Sequence, residues 1–204
     1  VQDLLALMDH LQLDRAVIGG ISMGAALTLR LAVEFPDRIR GLILSRPAWL
    51  EGPNFKNIET FTTIARLIQQ HGPVDGKERF LQSALYQEIL AESTESAASL
   101  VGQFDGPRAQ ETHIKLDKIV RDAPIRSLDE LKTISIPTLV LANRQDPIHP
   151  YGFGKILASK IAGAVFRELT PKSISVEQHA RNVQSCIEEF LTREFQKGDE
   201  VAEC

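Results

Sequence analysis

Apolar positions recur along this chain in two rhythms, the 3.6-residue period of an amphipathic helix and the short continuous runs of buried strands. Leu4, Leu7, Met8 and Leu11 fall on one face at helical spacing, with Asp3 in the first turn, where the helix dipole favours an acidic side chain. An apolar, partly β-branched run at 16–18 leads into Gly19 and Gly20, and a helix-forming run begins at Ala25. The helix ends at Phe35-Pro36-Asp37, and 39–45 (IRGLILS) reads as a strand covered on both faces. From 46 to about 127 no convincing strand occurs. Ile58, Phe61, Ala65 and Ile68 form one helical face, ended by His71-Gly72-Pro73. Phe80, Leu81, Ala84 and Leu85 form a second, and Ala97, Leu100, Val101 and Phe104 a third, ended by Asp105-Gly106-Pro107. Strand character returns at 136–142, where Pro137 fits only at the beginning, and again at 165–169. Residues 155–161 read as helix, and a final helix carries Val183, Cys186, Ile187, Phe190 and Leu191 on one face. The segment 196–204 (QKGDEVAEC) is charged and predicted to be disordered.

The densest chemical signal is the stretch 16–26, AVIGGISMGAA. It places Ser22 between Gly20 and Gly24 at a turn from strand to helix. A serine on such a turn has strained backbone angles, so the positions two before and two after it are expected to lack side-chain bulk. The hydroxyl is then held at the carboxyl end of the strand, beside the free amides of a helix N-terminus that favour developing negative charge.

Two further candidates follow separate predicted strands. Asp146 lies in Asn143-Arg144-Gln145-Asp146-Pro147-Ile148-His149-Pro150, directly after the 136–142 strand. His179 follows the polar loop 170–178 and precedes the last helix. A serine hydroxyl becomes nucleophilic when an imidazole takes its proton, and a carboxylate fixes that imidazole's tautomer. Side chains leaving the same end of a parallel sheet can converge. The competing histidine, His149, is only three residues from Asp146, on the acid's own loop. His10, His71 and His113 show no metal-ligand spacing and are assigned no chemistry.

Composition bounds the partners. The 204 residues are 43% hydrophobic and 25% charged, ordinary for a soluble globular domain, with a net charge of −4 that offers no basic stripe for nucleic acid. No apolar run approaches the roughly 20 residues of a membrane span, and the first residues do not form a signal segment. Two cysteines, Cys186 and Cys204, make no disulfide framework, so a cytoplasmic location is expected.

The strand–GxSxG–helix unit, the acid loop and the order Ser22, Asp146, His179 together resemble the α/β-hydrolase superfamily over nearly the whole chain, from Asp3 to about Leu191. The resemblance implies an α/β fold with a mostly parallel sheet flanked by helices. Residues 1–45 and 128–195 would form the hydrolase core and 46–127 an inserted helical cap. It implies a serine hydrolase cleaving a carboxylic ester or related small acyl substrate without metal or organic cofactor. Ser22 would be the nucleophile, His179 the base, Asp146 its orienting acid and the Met23 backbone N–H an oxyanion donor. Ile21, Trp49, Phe55, Phe61 and Ile148 are candidates to line the substrate pocket. His179 departs from the common pattern, which has a glycine before the histidine and a longer interval to the Phe-Leu pair; here Gln178 precedes it and Phe190-Leu191 follow closely. Family members carry about four strands before the elbow strand, and one early loop supplies the second oxyanion amide. A chain opening on Val1 therefore looks like the C-terminal part of such an enzyme, expected to be poorly active and aggregation-prone unless another segment completes the sheet. The superfamily also includes carbon–carbon hydrolases, perhydrolases and lyases, and a non-catalytic binding homologue is a third expectation.

Overall fold

The computed structural model describes residues 1–52 and 56–196. Four strands, β1 (Ala16–Ile21), β2 (Ile39–Ser45), β3 (Thr138–Ala142) and β4 (Val165–Glu168), form one parallel sheet in the order β1-β2-β3-β4. The two middle strands are almost wholly buried, as their continuous apolar runs require, whereas β1 and β4 are half-exposed. Among the described residues β1 pairs only with β2.

Side chains alternate across the sheet, and each face has its own cluster. Leu42, Leu44 and Val140 point to one side, where they meet Leu29 and Leu31 of α2 (Met23–Glu34), Leu157 of α7 (Tyr151–Lys160) and Leu5 of α1 (Gln2–His10). Ile43, Leu139 and Leu141 point to the other, against Phe190 of α8 (Val176–Leu191). The three layers are those of a helix-flanked parallel sheet. The apolar stripe of α1 is only partly used. Leu5 and Met8 are buried, but Leu7 and Leu11 are 52% and 55% exposed, because Leu5 rather than Leu7 turns toward the cluster.

Between β2 and β3 lie α3 (Lys56–Leu81), α4 (Ala84–Glu92), α5 (Thr94–Val101) and α6 (Ala109–Ile119). The helix α3 is interrupted at Gly72, where φ is +74° and Pro73 follows, matching the breaker read from the sequence. The face expected to run from Phe80 to Leu85 is instead split, because Ser83 accepts from the Tyr86 N–H and caps a new helix. Helix α6 is absent from the sequence reading, since it buries only Ala109 and Leu116 and its apolar pattern is weak. These helices share a cluster of their own, including Ile64, Ile68, Phe80, Leu100, Phe104 and Leu116. Phe55 and 197–204 lie outside the described residues, so the expectations for them are not addressed.

The turn after β1 is the tightest point of the chain. A Cβ on Gly20 would lie 2.1 Å from the Gly24 carbonyl carbon and 2.7 Å from the Ala25 nitrogen, distances only a hydrogen tolerates. A Cβ on Gly24 would meet nothing within 4 Å, so the expected need for a small residue holds at Gly20 alone among the described contacts. Gly20→Ala is therefore expected to destabilise the fold by about 3 kcal/mol or more, since backbone must move. Gly24→Ala, in the first turn of a helix, is expected to be neutral or stabilising by up to about 1 kcal/mol. Urea unfolding of the two variants beside the wild type checks both.

Candidate active site

Ser22 has φ +55° and ψ −114°, a conformation that costs a non-glycine residue roughly 1–3 kcal/mol. Its N–H donates to the Ser45 carbonyl at 3.0 Å, extending the β1–β2 ladder, and its own carbonyl accepts from Ala26 at 3.1 Å, opening α2. One residue thus ends the strand and starts the helix. Its side chain does not cap the helix, and among the described residues its hydroxyl has no hydrogen-bond partner. Met23, the first helical residue, has a backbone N–H without an intrahelical acceptor.

A cavity of ≈ 280 Å³ lies over this turn, between the carboxyl ends of the strands and α3, α5 and α6. The expected residues Ile21, Ser22, Met23, Trp49, Phe61, Asp146 and Ile148 all line it. Gly20 and Gly24 shape the turn behind it. Trp49 is buried and anchored by its Nε1–H to the Asp122 carbonyl at 3.1 Å. Residues not among the sequence candidates also line it, Arg46, Lys172 and Asn143 among them. His149 joins them, and His179 does not.

Asp146 is 7% exposed and its carboxylate is fully engaged. Oδ2 accepts from Arg46 at 2.6 Å and 2.9 Å, and Oδ1 accepts from the backbone N–H groups of His149 and Ile148 at 3.1 Å and 3.3 Å. His149 Nδ1 lies 3.0 Å from each carboxylate oxygen. Burial pushes this carboxyl up, but the His149 ring and the Arg46 guanidinium outweigh it and hold it well below the usual carboxylate range. Arg46 reaches it from the residue after β2, itself at φ +49° with its N–H bonded to the Leu141 carbonyl.

His179 is placed differently. It sits in the first turn of α8, is 6% exposed, and its Nδ1 donates to the Thr170 carbonyl at 2.9 Å. Neither Asp146 nor Ser22 bonds to it. It ties the base of the 170–175 loop to α8, while Lys172 of that loop faces the cavity. Burial pushes both His149 and His179 below the ordinary histidine value, against the opposing pull of Asp146 on the first and the Thr170 carbonyl on the second. Two buried polar atoms have no partner among the described residues, His149 Nε2 and Asn143 Oδ1, and both residues line the cavity.

The family model for the alpha/beta hydrolase fold matches residues 1–173. The chain belongs to the α/β-hydrolase family. It is 27% identical over 194 residues to 3-oxoadipate enol-lactonase 2 of Acinetobacter baylyi, covering 94% of this chain and 69% of that one. With 2-hydroxy-6-oxo-6-phenylhexa-2,4-dienoate hydrolase of Comamonas testosteroni it shares 29% identity over 164 residues, 78% of this chain and 56% of that one. The crystal structure of the enol-lactonase of Burkholderia xenovorans LB400 superposes with a TM-score of 0.69 at 26% identity, covering 93% of this chain and 70% of that one. This α/β hydrolase thus spans between roughly half and 70% of its relatives' length. Among the described residues no helix is long and apolar enough to cross a membrane.

The Asp146 environment sets an acid limit on stability. Its carboxyl titrates lower in the folded chain than unfolded, so its contribution is complete above about pH 4 and is lost as pH falls from there toward the folded value. Asp146→Asn is expected to remove that part of the acid limb. At neutral pH it should destabilise by about 3–5 kcal/mol, because Arg46, with a side chain only 13% exposed, loses its charge partner. Urea unfolding from pH 7 to pH 3 on both proteins measures the two effects.

Proposed function

We propose that this chain acts as a serine hydrolase on a carboxylic ester or related acyl substrate, through an acyl-enzyme on Ser22. The observation that carries the reading is the strained Ser22 at the mouth of α2, its hydroxyl unpartnered and facing a cavity walled on the opposite side by helices. The substrate carbonyl carbon lies against Ser22 Oγ, and its oxygen turns toward the Met23 N–H and the positive end of α2. A neutral imidazole takes the hydroxyl proton as the tetrahedral intermediate forms and returns it to the leaving alkoxide. Water then hydrolyses the acyl-enzyme by the reverse proton path. The helices between β2 and β3 act as the cap, with Phe61, Trp49 and Ile148 giving the acyl chain an apolar wall.

The enol-lactonase relatives support the ester reading, since a lactone is a cyclic ester. The relative named for a dienoate bearing a 6-oxo group and no ester supports a second reading, hydrolysis of a keto acid with the same nucleophile. Product analysis on an ester and on a vinylogous keto acid separates the two.

A fluorophosphonate probe tests the shared core of both readings. The folded chain is expected to gain one covalent adduct on Ser22, seen by intact-protein mass and peptide mapping, and Ser22→Ala to gain none. A folded wild type that resists the probe would defeat the proposal.

A further inference from the structure

Two groups on the walls of one cavity lack what the other offers. The Ser22 hydroxyl is a donor with no acceptor among the described residues, and His149 Nε2 is a buried ring nitrogen with no partner. An imidazole nitrogen closed off from water and left without a hydrogen bond costs free energy that a donor would recover. The rest of the His149 ring is held as a base requires. Its Nδ1 faces both oxygens of Asp146 at 3.0 Å, and its backbone N–H donates to the same carboxylate.

The tautomer follows from these partners. An unprotonated Nδ1 would set its lone pair against two carboxylate oxygens at 3.0 Å. The Arg46 Nη2 contact to Nδ1, at 3.1 Å, is longer than the 2.6 Å bond which the same nitrogen makes to Asp146. Nδ1 therefore carries the proton and donates to Asp146, leaving the lone pair on Nε2. The charges facing the ring are Asp146 on its own loop, Arg46 after β2 and Lys172 on the loop after β4. The two cations oppose formation of imidazolium, while Asp146 supports it.

We propose that His149, on the acid's own loop, is the residue that takes the Ser22 proton, while His179 is a positioning residue that fixes the 170–175 loop through Thr170. The assignment rests on the serine-hydrolase reading above. In the step, the Ser22 O–H bond breaks and its electron pair forms the new bond to the carbonyl carbon, while the carbonyl π pair moves onto its oxygen, the oxyanion whose pair later re-forms the C=O bond. The proton moves to His149 Nε2, whose Nδ1–H stays bonded to Asp146. Collapse of the intermediate breaks the bond to the leaving oxygen, which takes the proton back from Nε2, and water repeats the exchange to release the acid. The sequence order Ser, acid, His is kept, but acid and base come from one loop. Ser22 and His149 are not hydrogen-bonded in the empty site, where such contacts are commonly loose before substrate closes them.

The experiment compares fluorophosphonate labelling rates of the full chain, as wild type, His149→Ala, His149→Gln and His179→Gln, across pH 5 to 8, with and without added imidazole. Loss of His149 is expected to slow labelling by about 10²–10⁴-fold, and added imidazole to restore part of it in His149→Ala by entering the vacated space. The wild-type rate should fall with decreasing pH through a titration below the ordinary histidine value, and that limb should persist in His179→Gln and vanish in His149→Gln. Labelling of either His149 variant at the wild-type rate, or a pH limb lost with His179 instead, would overturn the assignment while leaving the serine-hydrolase reading intact. A folded wild type that does not label overturns both. Circular dichroism reports folding; if both His149 variants unfold, the limb in His179→Gln against the wild type still decides, its loss overturning the assignment.

Discussion

The structure turns on the close approach of Gly20 to the backbone of Gly24. Reversing from strand to helix within a single residue brings the end of β1 against the first turn of α2, and the space between them excludes even a methyl group. Ser22 absorbs the conformational cost, and the elements on either side keep it there. Its N–H is committed to Ser45 of β2 and its carbonyl to Ala26 of α2, so relaxing its φ would break a ladder bond and a helix bond together. Buried Leu29, Leu42 and Leu44 press the same helix onto the same strands. The position of Ser22 is therefore a property of the core, whereas its surroundings are set by the loops that face it.

Those loops are organised by charge. β2 and β3 are neighbours, so the residues just past their ends, Arg46 and Asp146, meet although they are 100 positions apart in the chain. Taking both charges out of water is costly, and an ion pair so enclosed contributes less to net stability than its short distances suggest. Its clearer effect is geometric. Arg46, two backbone amides, the Ser96 hydroxyl at 3.5 Å and the His149 ring all converge on the Asp146 carboxylate and fix its orientation. The His179 ring makes its bond to the Thr170 carbonyl instead.

What was legible in the sequence follows the range of the forces involved. The four strands, the serine turn, the break at Gly72 and the acid loop each depend on patterns within a dozen residues, and the structure places them as read. Leu7 and Leu11 fall at the helical spacing of α1 yet stay exposed, because periodicity defines a stripe but not how much of it finds a partner. Arg46 is in sequence one polar residue after a strand; its contact with Asp146 exists only once β2 and β3 are paired. His179 has the place after the last strand that the resemblance assigns to the base, and the turn of α8 that carries it directs the ring to Thr170. The Ser175 cap fixes where that helix begins, and with it the facing of a residue four positions later.

The cavity also has a division of labour. One wall is the serine turn and the loops after β2 and β3, bound to the sheet core. The other is built by α3, α5 and α6, whose cluster is distinct from those on either face of the sheet. Ile148 belongs to that helical cluster, although it lies between Asp146 and His149 in sequence. Asn57 of α3 also donates to the Ile148 carbonyl at 2.8 Å, so the loop after β3 is anchored to these helices by packing and by a hydrogen bond as well as to the sheet.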